Sequence, residues 1–351
     1  MKQQTFGVVI LACLLVTGCA GCATPAEETA GDSSLLTMMT WNIHNLFDGE
    51  DNGYEYDDFL QSSGWSAEKY KGRINTVTDA IKRIEPQPDI IILQEIESLK
   101  ILEDLSLSLN NGYSWSHFAG NPGSAIGLGI ISRYQLMNVK IHSITINGNT
   151  TPRPVLEARV QNLVIFACHW KSKIGGDEAT ESTRRASARV ILRRVKELWE
   201  NESDLGIIIA GDLNQNHDEF YRQNASMICA LLPDDIYCAQ ASGGIQKDFI
   251  VISKNIPPVP INFPEKTITF YSPWIKELEN GSYFYKNNWE TIDHFLLSPQ
   301  IFSDSKWRYE KIKIINIAPF ANPSGIPAPY NSRTGLGMSD HLPLMLFLTI
   351  S

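Results

Sequence analysis

Surplus positive charge is missing from this sequence. Its 351 residues carry 30 Lys and Arg against 39 Asp and Glu, a net charge of −9 that becomes −10 if Lys2 leaves with an amino-terminal leader. This argues against a protein held on nucleic acid by a basic surface, although an enzyme that cuts and releases a polyanion needs only a local cationic cleft and a metal. Cysteine is scarce as well. Of six, Cys13, Cys19 and Cys22 crowd the amino terminus, and Cys168, Cys229 and Cys238 allow at most one bridge. Cys229 with Cys238 is the pair expected, the alternative being three small buried thiols. Beyond the first residues there is no transmembrane-length apolar run and no internal repeat. Between residues 37 and 351 no linker is rich enough in Pro, Gly or Ser to divide the chain, so one domain is expected there. With 43% hydrophobic and 20% charged residues, disorder is not the default.

The amino terminus has its own pattern. Lys2 precedes the apolar run Phe6 to Val16, too short to span a bilayer, and Thr17-Gly18-Cys19 follows. Residues 1–18 read as a signal peptide of lipoprotein type, with Cys19 acylated after cleavage and a plain secretory signal as the alternative. Residues 19–36 then read as the lipid-attachment cysteine and a flexible tether, leaving 37–351 as the folded domain. The expected location is outside the cytoplasm: membrane-anchored at the cell surface or periplasmic face, or secreted if no lipid is added.

Within the domain, Thr37 to Ile43 reads as a strand. Tyr70, Ile74, Val77, Ile81 and Ile84 share one helical face ahead of Pro86 and Pro88, and Asp89 to Gln94 (DIIILQ) is a buried strand. Strands follow at 128–132, 139–146, 155–160, 163–169, 206–211, 291–297 and 342–350, and a helix spans about 179–199. Asp48 to Trp65 is expected to be a surface loop at a cleft mouth.

Polar residues stand where apolar strands end. Asn42 closes TMMTWN, Glu95 follows DIIILQ, His169 follows LVIFAC, Asp212 and Asn214 follow GIIIAG, and Asp340 and His341 precede the last apolar run. Singly, each has a plainer reading. Asp212 in GDLN suits a turn, His169 a satisfied core histidine, His341 a loop cap and Glu95 a salt bridge. Together they suggest one convergent site, and a carboxylate emerging from an apolar strand is most simply satisfied by a cation.

The motifs WNIHNLF (41–47), LQEIE (93–97), IISRY (130–134), CHWKSK (168–173), GDLNQ (211–215), TIDHFLLS (291–298) and SDHLP (339–343) resemble, in this order, the endonuclease/exonuclease/phosphatase family. The resemblance implies an α/β fold of two packed mixed β-sheets flanked by helices, a four-layer α/β/β/α sandwich with a cleft at one edge. It implies Glu95 as principal ligand of Mg²⁺, with Asn42 beside it and Asp340 completing the shell; Mn²⁺ or Ca²⁺ could substitute. It further implies a carboxylate–imidazole pair of Asp293 and His341. Asp212 and Asn214 would orient water and bind a phosphate oxygen, with His169 touching the phosphate. Which histidine is base and which acid is left open.

Histidine at position 169, where abasic-site endonucleases carry tyrosine, resembles the general deoxyribonuclease and sphingomyelinase branches. Lys171, Lys173 and Arg133 are candidate phosphate contacts, a solvated rim being the alternative. Arg184, Arg185 and Arg189 are expected on a solvated helix face, and Tyr283, Tyr285 and Trp289 in core packing rather than stacked on bases. The leading expectation is a monomeric, nonspecific extracellular nuclease. Nucleic acid is its substrate, the membrane is reached through its anchor, and no protein partner is implied. The alternatives are a phosphatase or phospholipase acting on phospholipid or inositol phosphates, and a noncatalytic lipoprotein on the same scaffold.

Overall fold

The structure, a computed structural model, describes residues 35–236, 246–303 and 306–350. Cys19, the leader and Cys238, hence the expected Cys229–Cys238 bridge, lie outside these residues; Cys168 and Cys229 are buried. Strand β1 begins at Leu35, slightly inside the expected tether.

Numbered in chain order, one sheet runs β17 (Trp307–Ile314), β18 (Leu344–Ile350), β1 (Leu35–Leu46), β2 (Ile90–Ile96), β4 (Gly127–Ser132), β3 (Trp115–Ala119). The other runs β11 (Leu231–Pro233), β12 (Ile250–Ser253), β13 (Thr269–Tyr271), β16 (Asp293–Leu297), β10 (Gly206–Asp212), β9 (Leu163–His169), β8 (Val155–Val160), β5 (Met137–His142). Two hairpins stand apart, β6 (Thr145–Ile146) with β7 (Asn149–Thr150) and β14 (Tyr283–Tyr285) with β15 (Asn288–Glu290). Helices are α1 (Ala67–Lys82), α2 (Leu99–Leu109), α3 (Asp177–Asn201) and the short α4 (Glu219–Arg222). The described residues belong to one compact unit.

Alternation along the strands produces the layers. Leu36 and Met38 of β1, Ile90 and Ile92 of β2, and Leu344, Leu346 and Leu348 of β18 share a cluster with Ile165, Ala167, Ile208, Ala210, Phe295 and Leu297 of the second sheet. Their odd-parity neighbours Met39, Trp41, Ile91 and Leu93 pack instead on Ile74, Val77 and Ile81 of α1 and Leu102 and Leu105 of α2. In the second sheet Val164, Phe166, Ile207 and Ile209 face Ala188, Ile191, Leu192 and Val195 of α3. Strands buried on both faces must read as continuous apolar runs, which explains DIIILQ and GIIIAG. The result is the expected α/β/β/α sandwich with mixed sheets, in which β1 pairs β2, and β9 pairs β10, in parallel.

The expected strand 139–146 is not continuous. β5 stops at His142, and residues 145–146 turn back on β7 through Asn147 and Gly148, both at positive φ.

A charge cluster ties α3 to the outer part of the second sheet. Glu157 on β8 is 2% exposed; its Oε2 lies 2.6 Å from His142 Nε2 of β5 and accepts from Arg194 Nε of α3 at 2.8 Å. Burial alone would raise this carboxyl, but the His142 and Arg194 hydrogen bonds hold it at about 2. A carboxyl depressed in the fold stabilises above its unfolded pKa and loses that contribution as pH falls toward the folded value. Glu157→Gln is therefore expected to lower stability by roughly 3 kcal/mol at neutral pH, the deficit shrinking between about pH 4.5 and pH 2. Urea unfolding across that range checks it; a deficit independent of pH would show that the charge is not the cause.

Candidate active site

Three strands of the second sheet end on one rung. Asp212 of β10 is level with His169 of β9 on one side and Asp293 of β16 on the other. All three continue the stripes Ile208–Ala210, Ile165–Ala167 and Leu297–Phe295 that face the first sheet, so alternation sends them to the edge of the gap between sheets. Gly211 is required beside them, because at φ +134° a Cβ would lie 2.0 Å from the Cys168 carbonyl oxygen.

In the first sheet a bulge performs the same aiming. Regular alternation places Asn42 on the inter-sheet side with Thr40 but would turn Glu95 toward the helices with Leu93. Register shifts occur between Asn42 and Leu46 and between Gln94 and Ile96, and Glu95 adopts φ +63°. The unpaired, left-handed residue swings its carboxylate to Asn42. Such backbone costs about 1 kcal/mol or more and is characteristic of functional sites.

The two edges meet through one amide. Asn42 Nδ2 donates to Glu95 Oε1 at 3.1 Å and to Asp212 Oδ2 at 3.0 Å. His169 Nε2 stands 3.7 Å from Glu95 Oε1 and 3.6 Å from Asp212 Oδ2. Among the described residues no lysine or arginine ion-pairs with either carboxylate. The Asp212 carboxyl is pushed up to about 7, first by burial and then by Asp293, with His341 and Arg153 pulling the other way. Asn214, at φ +49°, caps it by donating its backbone N–H to Asp212 Oδ1 at 2.8 Å and sends its own amide to the Trp170 carbonyl at 3.1 Å.

His341 Nδ1 lies 2.8 Å from Asp293 Oδ2, and Ser282 Oγ donates to that same oxygen at 2.6 Å. Trp274 Nε1 anchors the Asp293 backbone carbonyl, and Trp41 Nε1 that of His341. Burial would lower the His341 imidazolium, but Asp293, then Asp340 and Asp212, hold it up at about 10. His169 goes the other way, far below the ordinary histidine value, through burial first and then Arg153 and His341. The two histidines thus have opposite charge states at neutral pH. Asp340 sits 4.0 Å from His341 Nε2 through Oδ1 and 4.0 Å from His44 Nε2 through Oδ2.

The seven residues read from strand ends, and Asp293 implied by the resemblance, are brought to one edge. The tight set of potential ligand atoms is Asp212, Asp293 and His341, all within 4.8 Å of one another, whereas Asp340 contacts the histidines. Arg133 is a correction. Its guanidinium pairs with Asp89 at 3.1 Å and stacks on Tyr113, at the opposite edge of the sheet, because β4 runs antiparallel to β2. Lys173 is also committed elsewhere, 2.6 Å from Glu219 and 3.5 Å from Glu290. Lys171 keeps to the loop after His169, donating to Ser172 Oγ and the Ile174 carbonyl, and makes no ion pair among the described residues. Arg184 is not solvated: 1% exposed, it pairs with Glu181 at 2.7 Å.

Several contributors carried no signal as single residues. Ser282 and Ser339 act through short hydrogen bonds, the latter donating to the Asn42 carbonyl at 2.6 Å and accepting from His341 N at 3.0 Å. Arg153, flanked by Pro152 and Pro154, donates to the Trp170 carbonyl and lies close enough to act electrostatically on Asp212 and His169. Tyr56 of the 48–65 loop packs edge-on against Phe47 at 5.4 Å, and its hydroxyl is raised by burial and by Glu95.

A family model described as "Endonuclease/Exonuclease/phosphatase family" matches residues 37–228. No curated protein matches. Among solved structures, an endonuclease/exonuclease/phosphatase family protein from Bacteroides thetaiotaomicron is 16% identical over 91% of this chain and 96% of its own, with a TM-score of 0.50. A humanized D. rerio TDP2 is 14% identical over 90% of this chain and 99% of its own, also at 0.50. A mannosyl-6-phosphatase of Bacteroides thetaiotaomicron VPI-5482 is 16% identical over 89% and 99%, at 0.47. At these identities the likeness is one of fold.

Proposed function

Because this chain belongs to the endonuclease/exonuclease/phosphatase family, we propose that it is a Mg²⁺-dependent phosphodiesterase that cleaves nucleic acid outside the cytoplasm, tethered through Cys19. The observation that carries the reading is the pair of carboxylates, Glu95 and Asp212, held 3.1 and 3.0 Å from one Asn42 amide, with a cationic His341 beside them.

The donors fit a hard divalent ion. Two carboxylates that share an amide and have no Lys or Arg ion-pair partner among the described residues are poorly satisfied as they stand, and burial, with Asp293 alongside, keeps Asp212 from ionising readily. Glu95 and Asp212 would supply carboxylate oxygens, hard ligands that suit Mg²⁺ with Mn²⁺ or Ca²⁺ as substitutes, while Asn42, whose Nδ2 faces both carboxylates and whose Oδ1 accepts from the His44 N–H, would hold them in place beside the ion. When bound, the ion would neutralise charge on the phosphoryl oxygens.

The residues divide the proton work. Asp212, fixed by Asn42 and Asn214, takes a proton from the attacking water. With Nδ1 bound to Asp293, His341 presents Nε2–H to the cleft. Its positive charge stabilises the phosphorane-like state, and its proton passes to the leaving alkoxide as the P–O bond breaks. Neutral His169 donates a hydrogen bond to a non-bridging oxygen.

The chain without its leader is expected to nick supercoiled plasmid in Mg²⁺ and to stop when chelator is added. Failure to cut DNA or RNA in any divalent metal, alongside phosphate or headgroup release from phosphomonoesters or lipids, would move the substrate to the phosphatase or phospholipase class. For the tether, Cys19→Ala is expected to release soluble protein from the membrane fraction; unchanged fractionation would refute lipidation.

A further inference from the structure

The hairpin of β14 and β15 has two unlike faces. Inward, Phe284 and Trp289 meet edge to face at 5.0 Å and Trp289 packs on the core beneath the first sheet. Outward, Tyr283 lies on the His341 ring at 4.5 Å, and Tyr285 stacks parallel to Tyr283, 15° off at 6.0 Å. Tyr285 is 49% exposed, and Lys286 Nζ sits 5.0 Å from its ring centroid. The hairpin is pinned to the site. Leu342 N donates to the Ser282 carbonyl at 2.7 Å, Tyr283 bridges to His341, and Gly281 approaches Glu290 so closely that a Cβ would lie 2.4 Å from its carbonyl oxygen. A row of flat rings therefore starts at the imidazole that faces the phosphate and ends in solvent beside a cation.

We propose that Tyr283, Tyr285 and Lys286 form a nucleobase subsite on the His341 side of the scissile phosphate, with Tyr285 the open stacking platform and Lys286 meeting the next phosphate. The inference rests on the nucleic-acid reading above. Flat rings flanked by a cation match a polyanion whose repeating units are planar, since base–aromatic stacking tolerates any base. An acyl chain or an inositol ring offers no such plane. A base can reach Tyr285 only when unpaired, so single strands are preferred over duplex.

The test compares fluorescence anisotropy of an oligothymidylate with that of an abasic oligomer of equal phosphate count, in chelator, so that no turnover is needed. The protein is expected to bind the oligothymidylate about 10- to 100-fold more tightly, Tyr285→Ala to abolish that difference and Tyr285→Trp to keep it. Equal affinity for the two polymers, or an equal loss on both in Tyr285→Ala, would overturn the subsite. If the base-dependent affinity is present but neither polymer is cut in Mg²⁺, the subsite stands and the nuclease reading falls.

Discussion

Replacing His341 with alanine is expected to reduce plasmid turnover about 10³-fold at neutral pH, the scale of losing one acid group and one charge aimed at the phosphoryl oxygens. The companion change is more diagnostic. Asp293→Asn keeps the shape of the pair but removes the carboxylate that holds the imidazolium up at about 10. The histidine then falls back toward the ordinary value near 6.5, so the variant is most impaired where wild-type His341 is charged and the mutant's is not. The rate deficit at about pH 8.5 is therefore expected to exceed that at about pH 6 severalfold. A deficit of the same size at both values would mean that Asp293 serves geometry alone.

Glu95 gives the other large effect, and it has an unusual sign. The residue holds a left-handed backbone, φ +63°, in a bulge, and brings a negative charge into reach of buried Asp212 through the shared Asn42. Glycine adopts that backbone without strain. Glu95→Gly is expected to lose metal-dependent activity by about 10³-fold, yet in chelator to unfold no more easily than wild type, and to gain up to about 1 kcal/mol. In Mg²⁺ at about 100 times its dissociation constant, wild type should gain about 2.7 kcal/mol and the variant nothing. Urea melts with and without Mg²⁺ decide it. Equal stabilisation of both proteins by the ion would remove Glu95 from the metal site.

Much of this arrangement was legible because burial on both faces forces uninterrupted apolar runs, and a polar residue at the end of such a run is conspicuous. What a single run cannot convey is direction. Asn42, Glu95, His169 and Asp212 close the carboxyl ends of mutually parallel pairs, whereas Asp293 and His341 come from the amino-terminal side of β16 and β18, which run against their neighbours. Arg133 obeyed the same rule on antiparallel β4 and ended at the far edge. Lys173 misled for a different reason: its partners Glu219 and Glu290 are remote in sequence, and a charge in a loop does not advertise its mate. Helix α2 is short, although Ile101, Leu102, Leu105 and Leu109 share a face, and the edge strand β17, with only Trp307 and Ile312 of its eight residues buried, carries little apolar signal.

The Asn42 amide spans the gap between the sheets, touching Glu95 on one and Asp212 on the other. Neither sheet holds a competent half of the chemistry. Catalysis consequently measures how well the two layers are seated on each other, not whether either exists. Under mild acid or low denaturant, a loosened form that keeps its strands while the side chains between them slide would retain its far-ultraviolet circular dichroism and be silent as an enzyme. Activity would then disappear ahead of the spectroscopic transition, making turnover a more sensitive thermometer of the interior than any backbone signal.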